Sequence, residues 1–288
     1  MPRYKLTIAY EGTDFCGWQI QRPPDETAPT PAPGEERPRT ELRTAQGVLE
    51  RAVREAVREP VTVTGASRTD SGVHAWGQCA SFLSTPDPDK GVGWPVDRGL
   101  DTLVRAINGK LPRDILVRSA ELVEDGFDPI SGAIEKEYTY TFATGYDRPL
   151  WDRRSVFHTW HDLDIARMQR AAELLVGEHD FASFAQINHG RKTTVRRIFG
   201  CSVDAIGSRS PDETAQFPGR NERIRIRVSG SGFLYNMVRI LAGTLMEVGR
   251  GKADPEQIPA IIESKDRRAN PGPTLPPQGL RLEWIRYG

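Results

Sequence analysis

Asp70 has the side chain best placed for chemistry in this chain. It lies within Ser67-Arg-Thr-Asp-Ser-Gly-Val-His-Ala75, with Arg68 two residues before it and Gly72 two after. The alternating run Val61-Thr-Val-Thr and Gly65 precede this segment, and the strand-like run Gln78-Cys-Ala-Ser-Phe-Leu follows it. The carboxylate is therefore expected in a loop between two strands. Loops on rigid scaffolds are where chemistry is usually placed, and a glycine beside a carboxylate lets backbone or ligand approach closely. A carboxylate so placed can act as a nucleophile or stabilise developing positive charge. The plainer reading is an Asp-Ser-Gly turn with Arg68 as a surface charge. Two residues further along read plainly by spacing alone. Tyr138 sits on a strand pattern that puts Tyr138, Tyr140 and Phe142 on one face, which favours ordinary sheet packing. Arg239 sits on an amphipathic helix, where periodicity alone makes it a surface residue.

Other chemistries find little support. His158-x-x-His161 is the nearest approach to a metal pair, but Asp162 and Asp164 do not complete a convincing ligand spacing. Neither a P-loop nor a Rossmann glycine pattern occurs. The expectation is no metal, no nucleotide cofactor and no other cofactor. Cys16, Cys79 and Cys201 are odd in number and widely scattered, which suits reduced thiols rather than a disulfide framework. No stretch approaches the roughly 18 uncharged apolar residues of a membrane span. The start, Met1-Pro-Arg-Tyr-Lys-Leu-Thr7, lacks a signal-peptide apolar region. A cytoplasmic protein with no membrane partner is expected.

With 288 residues, 38% hydrophobic and 27% charged, the chain can bury a sizeable core and hold two domains, placed at 1–125 and 126–288. Formal net charge is zero, so the total does not announce a nucleic-acid partner. Clustering says more. Arg191, Lys192, Arg196 and Arg197 fall together without an acid, and Arg223, Arg225 and Arg227 alternate on one face of an expected strand. Phosphate contacts are local, so a neutral protein can bind RNA through such clusters. Solvated charged faces are the alternative.

The elements that must position these residues follow from periodicity. Strands are expected at 4–10, 115–123, 136–143, 197–205 and 222–229, with Leu280, Leu282 and Trp284 alternating in a last one. Helices are expected from about Thr44, with Val48, Leu49, Ala52, Val53, Ala56 and Val57 inward, and around Leu100–Ile107, 163–176 and 234–248. Residues 22–43 hold Pro23, Pro24, Pro29, Pro31, Pro33 and Pro38 and almost no large apolar side chain, which reads as an exposed, mobile insertion. Residues 84–98 read as another loop. Mixed strands and helices in both halves indicate an α+β fold with antiparallel-rich sheets.

The loop around Asp70 resembles the catalytic loop of the TruA family of tRNA pseudouridine synthases, G-R-T-D-x-G-V-H-A. Tyr10-Glu-Gly-Thr-Asp-Phe-Cys-Gly-Trp-Gln19 resembles the family's opening motif, and Thr44-Ala-Gln-Gly-Val-Leu-Glu50 its first helix start. Lys136-Glu-Tyr-Thr-Tyr140, Asp180-Phe-Ala-Ser-Phe184, Gly232-Phe-Leu-Tyr-Asn-Met-Val-Arg239, Gly243-Thr-Leu-Met-Glu-Val-Gly249 and Pro276-Pro-Gln-Gly-Leu280 continue the match in family order. The resemblance implies the pseudouridine synthase fold: two similar halves joined around a central cleft, helices on the outer faces. It implies isomerisation of uridine to pseudouridine at positions 38, 39 and 40 of the tRNA anticodon stem and loop, by a homodimer.

By the same resemblance Asp70 is the catalytic carboxylate, through direct attack or a glycal route. Arg239 is its cationic partner, and Tyr138 stacks on the target base or takes a proton. Arg68 contacts RNA and helps open the stem, and Leu245 closes the pocket. Arg191, Lys192 and Arg196 are candidate RNA contacts from their clustering. Phe181 and Phe184 read first as core. One segment departs from the family pattern F-x-A-R-x-x-A. Phe127-Asp-Pro-Ile-Ser-Gly-Ala133 puts Ile130 where the arginine stands, which bears on substrate choice or efficiency more than on reaction type. A synthase for another RNA or position, and a non-catalytic RNA-binding protein on this scaffold, are the alternatives.

Overall fold

Tyr4, Leu6 and Ile8 alternate along β1 (Arg3–Tyr10) and are fully buried, which makes this strand the spine of the first unit. The computed structural model describes residues 1–25, 37–87, 89–186, 193–206 and 222–288, and the chain divides into two compact units, Met1–Gly132 and Ala133–Gly288. In the first, β1 lies antiparallel between β3 (His74–Leu83) and β4 (Ile115–Val123), and β2 (Thr64–Gly65) pairs with β3. Opposite the end of β1, both partner strands carry an extra residue, at Trp76–Gly77 of β3 and at Arg118 of β4. The two bulges meet: the Arg118 guanidinium lies 4.1 Å over the Trp76 ring and donates to the Trp76 carbonyl at 3.0 Å. Bulges sharpen strand twist locally, here at the end of the sheet beside the Asp70 loop.

Two helices supply the rest of this core. α1 (Ala45–Val57) starts at Thr44, whose hydroxyl accepts the Gly47 N–H, and buries Leu49, Ala52, Val53 and Val57. Val48 and Ala56, expected inward, are only partly covered. α2 (Leu100–Asn108) buries Leu103 and Ile107. The run Val61–Thr64 alternates buried and exposed as a strand would, yet only Thr64 joins the ladder. Its backbone is bonded instead by side chains one turn apart on α1. Gln46 donates to the Val63 carbonyl, Glu50 accepts the Val63 N–H at 2.9 Å, and Arg54 donates to the Val61 carbonyl. Of the stretch 22–43, the described flanks are mostly exposed. They also pair with each other, Thr40 N–H to Pro23 carbonyl and Leu42 N–H to Gln21 carbonyl, with Glu41 salt-bridged to Arg22 and Arg51. The expected coil thus begins as a stem. In the loop 84–98 Trp94 is fully buried.

The second unit is built on β5 (Ala133–Thr144), with β9 (Arg223–Gly230) antiparallel on one side and β10 (Leu280–Tyr287) on the other. β8 (Val195–Ile206) and β7 (Gly177–Asp180) extend the sheet beyond β9, and the short β6 (Phe157–Thr159) runs parallel to the end of β5. Tyr138, Tyr140 and Phe142 face inward with Ile224, Ile226 and Val228. Trp284 does not continue this face. A bulge at Glu283 leaves Leu282 opposite Tyr138 but Trp284 opposite Glu137, so the alternation breaks and the indole donates to Glu137 at 3.0 Å on the other side. α3 (Ile165–Glu173) packs on α4 (Met237–Gly249), which is buried nearly all round, and α5 (Ile258–Ser264) follows. Phe181 and Phe184 are fully buried in edge-on contact, as core.

Candidate active site

Asp70 occupies the loop of the β2–β3 hairpin, and this loop is tied down at each step. The Gln78 side chain brackets its start, donating to the Ser67 carbonyl at 2.6 Å and accepting the Ser67 N–H at 3.3 Å. The Thr69 carbonyl accepts the Trp18 N–H at 3.0 Å, and the Thr69 hydroxyl shares a 2.7 Å hydrogen bond with Tyr10. Asp70 itself opens a four-residue turn, closed by the Val73 N–H on its carbonyl at 3.1 Å. Gly72 takes φ +79°, the value a type II turn demands at its third position and one that favours glycine. The Ser71 hydroxyl and the Gly72 N–H both donate to the Phe15 carbonyl. The opening motif lies directly against the loop: a Cβ on Gly17 would stand 2.7 Å from the Thr69 carbonyl oxygen. Beyond the turn, buried His74 accepts the Gly12 N–H on Nδ1 at 2.9 Å. Exposure alternates along the loop: Arg68 points to solvent, Thr69 is buried, and Asp70 is half-buried.

The other three family-implied residues lie in the second unit. Tyr138 is buried on β5, its ring edge-on to Phe233 with centroids 5.3 Å apart. Its neighbour Tyr140 is committed to the fold. The Tyr140 hydroxyl donates to the Pro276 carbonyl at 2.8 Å, and burial pushes its pKa far above the usual phenol range while the Arg239 charge draws it back. Arg239 is half-buried on the first turn of α4; its Nε donates to the Leu275 carbonyl at 2.6 Å and its Nη1 to Asn236 Oδ1 at 2.7 Å. Asn236 caps that helix at φ +58° and also bonds the Gln186 side chain. Two bonds to fixed acceptors aim the guanidinium, which a lysine could not reproduce. Leu245 is fully buried in α4.

The candidate RNA contacts divide. Arg191 and Lys192 lie outside the described residues. Arg196 donates to the Thr193 and Val195 carbonyls at the start of β8, and Arg197 is exposed. Arg223, Arg225 and Arg227 do share one face of β9, but acids occupy it too. Arg223 holds Asp152 in a bidentate pair, and Arg227 lies 3.6 Å from Asp204. Burial, then the charges of Arg281 and Arg227, depress the Arg225 pKa. In the departing segment, Asp128 folds back on its own turn. It accepts the Ser131 hydroxyl at 2.6 Å and the Ile130 N–H at 2.9 Å, which hold its carboxyl below the usual range, and Ile130 is exposed. Among the described residues no group of three His, Cys, Asp or Glu side chains could hold a metal ion, and no helix is long and apolar enough to cross a membrane.

The comparisons place this α+β chain among RNA-modifying isomerases. A family model described as tRNA pseudouridine synthase matches residues 171–288. The chain is 40% identical over 287 residues to the tRNA pseudouridine synthase A of Geotalea uraniireducens strain Rf4, covering 100% of both. It is 40% identical over 292 residues to that of Solidesulfovibrio magneticus, covering 100% of this chain and 92% of the relative. With that of Maridesulfovibrio salexigens it shares 38% over 300 residues, covering 100% and 91%. The chain belongs to the tRNA pseudouridine synthase A family.

Sequence reasoning passed over the residues that hold the loop. Tyr10 and Trp18 stood inside the opening motif, Gln78 in the strand-like run and Thr69 in the loop itself, but long-range hydrogen bonds leave no periodic signal.

Proposed function

We propose that this protein isomerises uridine to pseudouridine at positions 38, 39 and 40 in the anticodon stem and loop of tRNA, with Asp70 as the catalytic carboxylate. The observation that carries this reading is Asp70 held in a clamped turn, in a chain whose full length matches enzymes named tRNA pseudouridine synthase A. The reaction breaks the N-glycosidic bond, turns the base and rejoins it through carbon, so it consumes no redox partner or nucleotide. Asp70 attacks the sugar or stabilises its developing charge. Tyr138 stacks on the base and is the candidate proton acceptor, Arg239 is the cation that orders the carboxylate, and Leu245 closes the pocket. Arg68, solvent-facing beside the carboxylate, contacts RNA. The flipped base costs a few kcal/mol of unstacking, offset by contacts to phosphate. The protein works in the cytoplasm.

The reading includes a homodimer. Supporting it, Tyr146, Leu150, Trp151 and Trp160 are 84%, 65%, 98% and 60% exposed within one short segment. Charges of both signs, Asp147, Arg148, Arg153 and Arg154, lie among them, a mixture suited to a self-complementary interface. Trp151→Glu should yield monomers in equilibrium sedimentation.

Mapping pseudouridines in tRNA from cells with and without the protein tests the activity, and modification of a different RNA or position would replace the stated substrate. Asp70→Asn should abolish tritium release from 5-tritiated uridine in tRNA while leaving folding and tRNA binding nearly intact. Substantial turnover by that variant would remove Asp70 from the mechanism.

A further inference from the structure

Thr69, the residue before Asp70, is held by a side chain far away in sequence. Thr69 is 7% exposed, and its Oγ1 meets the Tyr10 hydroxyl at 2.7 Å. Tyr10 cannot easily move that hydroxyl. Its ring stacks on Trp18 and stands edge-on to Phe15, each with centroids 6.0 Å apart, and the residue is 5% exposed. The Thr69 carbonyl is bonded to the backbone of the same Trp18. Side chain and backbone of Thr69 are therefore both fixed to the Tyr10–Trp18 segment. Past the aspartate, Ser71 and Gly72 bond to Phe15 and His74 to Gly12, in that segment as well. Between the anchored Thr69 and the Asp70 carboxylate only a few torsions remain. The turn itself is closed between Asp70 and Val73 and does not include the Tyr10–Thr69 bond. What the bond restricts is the direction of the next side chain.

We infer that Tyr10, through its hydroxyl on Thr69, is a positioning residue for the Asp70 carboxylate. It does not touch substrate; it sets where the carboxylate stands. The inference rests on the reading of Asp70 as the catalytic group. A displacement of about 1 Å can cost about 100-fold in rate without weakening binding.

The test is steady-state and single-turnover kinetics on tRNA, with tRNA affinity and melting temperature measured on the same preparations. Tyr10→Phe keeps the packed ring and removes only the hydroxyl. It should lower kcat about 10- to 100-fold with KM and tRNA Kd changed by no more than about twofold. Thr69→Val should do the same, and Thr69→Ser should recover most of the kcat that Thr69→Val loses. The double variant Tyr10→Phe/Thr69→Val should be no slower than the slower single variant, because the two act through one bond. A kcat for Tyr10→Phe within about twofold of the parent, with or without a lower melting temperature, overturns the inference, as do multiplicative effects in the double variant. Asp70→Asn separates the two levels. An inactive Asp70→Asn beside a normal Tyr10→Phe removes the positioning role alone; an active Asp70→Asn removes the catalytic reading and the inference with it.

Discussion

Arg239 shows how a single side chain can be prepared for a charge it is proposed to order. Its Nε and Nη1 are spent on the Leu275 carbonyl and Asn236, both fixed by the fold, so the direction of the guanidinium is set before any RNA arrives. Such preorganisation is worth most where charge develops during reaction, and removing one such group typically costs about 10²–10³ in kcat. Arg239→Ala is therefore expected to lower single-turnover rate by at least about 10²-fold while tRNA affinity changes little. Arg239→Lys should fall between, because it keeps the charge but not the two-pronged hold. Weakened affinity with a normal rate for bound tRNA would make Arg239 an RNA contact. At this scale the sequence was most readable where a residue type has one chemical use. Asp70, between Arg68 and Gly72, announced a loop carboxylate. Tyr10, a phenol whose partner lies in another motif, had no such signature. The buried cysteines follow ordinary chemistry: burial pushes the Cys201 thiol up to about 12, leaving it protonated and inert at neutral pH.

Among elements, the polar stripe on α1 explains why an expected strand is absent. Gln46, Glu50 and Arg54 recur every fourth residue and so share one face, and they satisfy the 61–63 backbone that a sheet neighbour would otherwise bond. Glu50 is 7% exposed, so deleting it leaves the Val63 N–H buried without its acceptor. Glu50→Ala is expected to cost about 1–3 kcal/mol of stability, read in denaturant melts. Glu50→Gln, which keeps an acceptor oxygen, should cost less; equal losses would mean that the Arg54 pair and not the backbone bond matters. Because this stripe supports the entry to the Asp70 hairpin, some loss of kcat should accompany the loss of stability. Periodicity found α1, α2, α4 and the long strands because each has a continuous apolar face. It missed β6, β7 and α5, which are too short to show a period. It misplaced Trp284 because one inserted residue, Glu283, inverts the side chains from Trp284 to Arg286.

For the whole molecule, the question is how a chain of zero formal charge holds a polyanion. Charge totals are a poor guide, since each phosphate contact is local and releases its own counterions. On β9, Arg223 and Arg227 are ion-paired with Asp152 and Asp204, so phosphate could recruit them only by displacing acids. That leaves the cluster Arg191, Lys192, Arg196 and Arg197 as the leading candidate for anchoring tRNA, although Glu178 lies opposite Arg197 across the β7–β8 ladder. If local cations carry binding, tRNA affinity should fall by about 0.7–0.9 log units per tenfold rise in salt for each phosphate neutralised. Changing Arg191 and Lys192 together to alanine should weaken binding and flatten that slope by about 0.7–0.9 for each phosphate no longer neutralised. The rate for bound tRNA should stay close to normal, because anchoring and chemistry involve different residues, and the defect should appear as a raised KM. Arg223→Ala should behave differently, lowering stability through the orphaned Asp152 more than it changes the salt slope. An unchanged slope in the Arg191/Lys192 variant, together with a flattened one in Arg223→Ala, would move the RNA path onto the β9 face and show that its acids yield to phosphate.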